Sequence, residues 1–129
     1  MPGSCCGGNS GETLIFTCAG AAHSGQVSNR AGVELAQEKE GKLFCVAAVG
    51  AEIPEKLERA RNARIRVAID GCEDHCCRKV LEKAGLRADV HVVVTDLGIE
   101  KMPKEPHLIA DAKRTVEAVK EKLAPLRAW

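Results

Sequence analysis

Short apolar runs alternate with amphipathic stretches along most of the chain. The first run, Thr13-Leu14-Ile15-Phe16-Thr17-Cys18, contains β-branched residues and ends at Ala19-Gly20, so it reads as a strand closed by a turn. Residues 24–40 then place Val27, Ala31 and Leu35 four apart, with Glu and Lys gathered late. This spacing predicts an amphipathic helix stopped by Gly41. Residues 43–49 carry no charge and read as a second strand, broken by Gly50. Pro54 suits the first turn of a helix, where its missing N–H costs nothing, and Ile53, Leu57 and Ala60 supply the apolar stripe. Residues 65–69 predict a third strand, leading into Asp70-Gly71-Cys72. A helix over residues 73–84 follows, with Cys77, Val80, Leu81 and Ala84 inward and Gly85 as its stop. Residues 90–94 predict strand four. Beyond Pro103 and Pro106, a last helix over residues 107–123 buries Leu108, Ala112, Val116, Val119 and Leu123.

Uncharged strands alternating with amphipathic helices imply a parallel sheet covered on both faces. Right-handed crossovers make this a small doubly wound α/β domain, Rossmann- or flavodoxin-like, of about four strands with flanking helices. The order 2-1-3-4 is expected by analogy with flavodoxin-like sheets. Residues 13–129 form one domain in this reading. Residues 1–12, rich in Gly, Ser and Cys, form a flexible lead-in.

Composition narrows the function. The length, 129 residues, suits one domain, and a net charge of +1 gives no field that would draw in nucleic acid or a membrane. Only 2% of residues are aromatic, which removes the stacking platforms that single-stranded nucleic acids need. The N-terminus lacks the apolar segment of a secretory signal, and no apolar run is long enough to span a bilayer. A cytoplasmic protein with reduced thiols is expected. Its seven cysteines, an odd number, cannot form a fully paired disulfide framework within one chain.

In open α/β sheets, ligands bind beyond the carboxyl ends of the strands, where strand order switches. Cys18 ends strand one there, and Cys72 lies two residues past the end of strand three. Cys76 follows one helical turn later, sharing a face with Cys72 if that turn is helical. Cys45 falls inside the second run, where core packing and a place at the rim weigh about equally. Three or four thiolates converging there suit tetrahedral Zn²⁺. A helix dipole behind Cys72 and Cys76 would favour their thiolates. The plain alternative is that these cysteines are small buried hydrophobes, which suits Cys77 best. Cys5 and Cys6 are idle thiols or complete the site from the lead-in. His75 and His23 read more readily as solvated side chains than as ligands. His91 and His107 have no evident partner. Asp70 is a helix cap, or a hydrogen-bond acceptor for a ligating group.

A cysteine after strand one, followed by a loop into a helix, is also the arrangement that holds phosphate in low-molecular-weight tyrosine phosphatases. A tyrosine-phosphatase loop needs an arginine six residues after its cysteine, and Ser24 stands there. That chemistry is rejected, which leaves only an anion cradle of backbone N–H groups. Gly7-Gly8-Asn9-Ser10-Gly11 lacks the lysine of a P-loop and follows no strand.

Ile69-Asp70-Gly71-Cys72 with Cys76 resembles the signature of the DGC-domain family, named for its Asp-Gly-Cys motif. Cys18-Ala19-Gly20, Gly25-Gln26-Val27-Ser28-Asn29, Cys45 with the apolar residues after it, and Thr95-Asp96-Leu97-Gly98-Ile99-Glu100-Lys101 agree with it, over residues 13–101. The resemblance implies a zinc-binding protein whose four characteristic cysteines are Cys18, Cys45, Cys72 and Cys76; it implies no reaction. A site of four thiolates would be structural or a metal carrier, with the metal ion as partner. The alternative is a thiol redox or sulfur-transfer enzyme with Cys72 as a low-pKa nucleophile. A partner-binding domain whose cysteines only pack is the third reading.

Overall fold

The computed structural model describes residues 11–127. Cys5 and Cys6 lie outside the described residues. Four strands, β1 (Thr13–Thr17), β2 (Lys42–Phe44), β3 (Ile65–Asp70) and β4 (Val90–Val93), form one sheet in the order β2-β1-β3-β4. Every pairing is parallel. Among the described residues, five α-helices flank it: α1 (His23–Gln37), α2 (Val46–Gly50), α3 (Pro54–Arg61), α4 (Cys76–Lys83) and α5 (Leu108–Arg127). This is the doubly wound α/β architecture that the hydrophobic pattern implies.

Strand alternation divides the core in two. Leu14, Phe16 and Ala68 point to one face, where they meet Val49 of α2, Ala60 of α3 and Cys77 and Leu81 of α4. Ile15, Val67, Ile69 and Val92 point to the other, against Val27, Ala31 and Leu35 of α1 and Val116, Val119 and Leu123 of α5. Phe16 is fully buried and meets Phe44 edge to face, ring centroids 5.6 Å apart.

Three local expectations need correction. The second apolar run is not one strand. β2 ends at Phe44, Cys45 takes an extended conformation, and Val46-Ala47-Ala48-Val49-Gly50 coils into α2. Periodicity cannot separate a short buried strand from a buried helix turn, and alanine favours the helix. Val49 and Ala48 are buried there.

Residues 73–75 are not helical. His75 adopts a left-handed conformation (φ 54°), so α4 starts only at Cys76. Cys72 and Cys76 therefore do not share a helix face. Finally, Ile53 is partly exposed at the entrance to α3, and only Ala60 of that helix is buried.

Candidate metal centre

The early end of β2 moves Cys45 out of the sheet and onto its rim. Cys18 directly follows β1, Cys45 directly follows β2, Cys72 lies two residues past β3, and Cys76 opens α4. The register aligns Phe16 with Phe44 and Thr17 with Ile69, so the three strand ends lie side by side. Neighbouring strands are about 4.8 Å apart. Cys45 and Cys76 are exposed, Cys18 and Cys72 half-buried, and none of these four or Cys77 is in a disulfide.

The Asp-Gly-Cys motif has a separate physical reason for each residue. Asp70 is 1% exposed and ends β3. Its Oδ1 accepts the Cys77 N–H at 2.7 Å, and its Oδ2 accepts the Arg78 N–H at 3.2 Å. These are orphan donors of the first turn of α4, which has no cap from its own neighbouring side chain. Asp70 thus acts as a cap from a distance. Oδ2 also lies 2.8 Å from Nε2 of His91.

Gly71 is required by close approach. A Cβ on it would meet the backbone nitrogen of Gly25 at 2.8 Å and Cα of Gly25 at 2.9 Å. A Cβ on Gly25 would meet the backbone of Gly20 at 2.7–3.0 Å. The turn bearing Cys72 therefore packs, glycine to glycine, on the first turn of α1, which packs in the same way on Gly20 of the turn bearing Cys18. Cys72 completes the motif, its thiol 3.6 Å from Oδ2 of Asp74.

Other bonds fix the Cys18 turn. The Cys18 N–H extends the β1–β3 ladder to the Ile69 carbonyl at 2.9 Å. The buried Ser28 hydroxyl lies in hydrogen-bond reach of the Cys18 and Gly25 carbonyls. Gln26 donates its side-chain amide to the Gly20 carbonyl at 2.8 Å. Of the N–H groups that an anion cradle on this loop would use, that of Ser24 is taken by the Lys101 carbonyl at 3.2 Å.

Electrostatically the rim is acidic. The Cys76 thiol is pushed above the usual thiol range, by loss of hydration first and then by Cys18, Asp74, Asp70 and Cys72. Cys76 is thus close enough to feel both Cys18 and Cys72. Cys77 is buried in the core face and pushed far up by that burial and by Asp70. It packs, as the helix stripe implies. Among the described residues, no group of three or more Cys, His, Asp or Glu side chains is gathered closely enough to hold a metal ion in this arrangement.

The histidines have other work. His23 opens α1, with Nε2 2.9 Å from Oδ2 of Asp111 on α5. His107 accepts the Asp111 N–H on its carbonyl at 2.9 Å. His91, without a partner in the linear sequence, is bonded to Asp70 and stacks edge to face on His75, centroids 4.9 Å apart. The signal for that pair is two-dimensional. His91 pairs with Ala68 in the β3–β4 register, so alternation brings it onto the same face as Asp70.

Among the described residues, no helix is long and apolar enough to cross a membrane. No solved structure matches the chain. A Pseudomonas aeruginosa protein named anaerobic and virulence modulator AnvM is 28% identical over 112 residues, covering 87% of this chain and 86% of that one. The DGC domain matches residues 14–119. With the Asp70-Gly71-Cys72 turn at its rim, the chain belongs to the DGC domain family.

Proposed function

We propose that the chain binds Zn²⁺ through Cys18, Cys45, Cys72 and Cys76 and holds it exchangeably, as a metal carrier. The observation that carries this reading is that Cys18, Cys45, Cys72 and Cys76 all follow the carboxyl ends of strands on one rim, with Asp74 and Asp70 close enough for Cys76 to feel their charge. Soft thiolate donors in an anionic setting suit a soft, doubly charged ion. Zinc would supply the positive charge that these groups lack and would hold the four sulfurs tetrahedrally. The exposed thiols of Cys45 and Cys76 are the ones with room to turn toward it.

The carrier role rests on the core. Both faces of the sheet are filled by apolar side chains, and none of the four rim cysteines belongs to either cluster. A fold closed without its ligands does not need metal to form, unlike a zinc finger. A cytoplasmic setting, where thiols stay reduced, accords with this. The redox alternative is weaker because Cys72 lies outside α4 and lacks the helix terminus that would activate it as a nucleophile.

The test is metal analysis of protein purified without added metal, followed by zinc titration and single Cys→Ser variants. About one zinc per chain is expected, weakened in each of the four variants and unchanged in Cys77→Ser. Chelation should leave the far-ultraviolet dichroism folded. Wild-type protein that takes up no zinc would refute the reading. Loss of two thiols to one mapped disulfide after mild oxidation would favour redox chemistry instead.

A further inference from the structure

His91 stands on β4 and touches no rim cysteine through any hydrogen bond, yet two of its contacts converge on the Cys72–Cys76 turn. Its Nε2 reaches Oδ2 of Asp70 at 2.8 Å, the oxygen that also accepts the Arg78 N–H. Its ring lies edge to face with His75, at an interplanar angle of 88°. His75 is a non-glycine residue in the left-handed region, directly before Cys76. Few non-glycine residues adopt this region; histidine enters it more readily than most, and contacts from its surroundings help to hold it there. The strand carrying His91 is itself held on both sides. One side pairs with β3, and the His91 carbonyl accepts Lys122 Nζ of α5 at 2.8 Å.

The geometry points to His91 as a positioning residue for the thiol site, holding Asp70 against the start of α4 and His75 over the turn between Cys72 and Cys76. The role is mechanical. The Nε2–H bond fixes the carboxylate plane so that both oxygens face the α4 amides. The ring contact keeps the His75 backbone left-handed. Cys76 follows both constraints as the first residue of α4. The consequence for metal binding rests on the zinc reading above; the consequence for the turn does not.

The test uses His91→Ala, His91→Leu and His91→Gln in the full chain, with Val119→Ala as a core variant on the opposite face of the sheet. Gln retains an N–H donor of similar reach; Leu keeps apolar bulk without one and serves if the Ala variant fails to fold. In metal-free protein, hydrogen exchange at the Cys77 and Arg78 amides should rise at least about tenfold in Ala or Leu, relative to the β1 amides. Gln should restore most of the protection, and Val119→Ala should not single out these two amides. Unchanged or uniformly raised exchange in Ala and Leu would overturn the proposal. In a zinc competition against a chromophoric chelator, Ala and Leu should weaken binding about 10- to 100-fold, the range seen when groups supporting a ligand are removed. Equal zinc affinity in all variants would also overturn it. If wild type takes up no zinc, the zinc reading fails and the amide exchange alone decides the role of His91.

Discussion

Removing the Asp70 carboxylate tests the rim directly. The side chain is 1% exposed and receives three hydrogen bonds, from Cys77 N–H, Arg78 N–H and His91. Asp70→Ala orphans all three donors in a place water barely reaches. Hydrogen bonds to a charged group contribute about 1.5–3 kcal/mol each, though neighbouring bonds do not add fully. A loss of about 4 kcal/mol is expected. Asp70→Asn keeps one acceptor for the shortest bond, to Cys77, and turns its NH₂ toward Arg78, so it should lose about 2 kcal/mol. For a chain of this size, 1 kcal/mol corresponds to about 3–5 °C in Tm. Urea unfolding followed by circular dichroism, with a chelator present throughout, measures the loss free of any metal contribution. If Asp70→Ala cost less than about 1 kcal/mol at an unchanged urea slope, the carboxylate would not be the cap of α4, and the account of the Asp-Gly-Cys turn would fail.

Three other outcomes are expected. Phe16→Ala removes a fully buried ring that packs on Phe44 and should cost about 3–5 kcal/mol in the same assay. In metal-free native protein, iodoacetamide should label Cys45 and Cys76 well before the buried Cys77. Because the Cys76 thiol is held above its usual range, its labelling should accelerate only as pH rises past that range; peptide mapping by mass spectrometry reads both effects. Glu12 accepts two bonds from Arg59, and that pairing holds its carboxyl below the ordinary value of 4.5. Its contribution is therefore present at neutral pH and lost as pH falls below that value. Glu12→Gln should destabilise by less than about 1 kcal/mol at pH 7, and the difference from wild type should close by about pH 3.

Most of the sheet is legible because β1, β3 and β4 and the long helices announce themselves through their own spacing of apolar residues. β1, β3 and β4, with the α1 and α5 stripes, depend on residues near in sequence, and their burial follows the pattern. Legibility ended where geometry depends on distant residues. Cys45 was ambiguous because an apolar pentapeptide can extend or coil, and contact with α4 decides for the helix. The turn at residues 73–75 has a helical pattern in the sequence because nothing nearby shows that Asp70 caps α4 from the strand or that His75 turns left-handed. His91 had no visible partner because its bond crosses from β4 to β3. The positions of Cys18 and Cys72 were readable, since a residue just past a parallel strand has only one rim to occupy.

The glycine contact also sets how the rim can move. Cys18 and Cys72 hang from turns whose backbones touch through Gly20, Gly25 and Gly71, so neither shifts without the other. Cys45 hangs from an edge strand of three residues that pairs only with β1. The rim is therefore tied in two ways, by backbone contact between the Cys18 and Cys72 turns and, on the Cys45 side, by α2, which carries Val49 into the core beside α4.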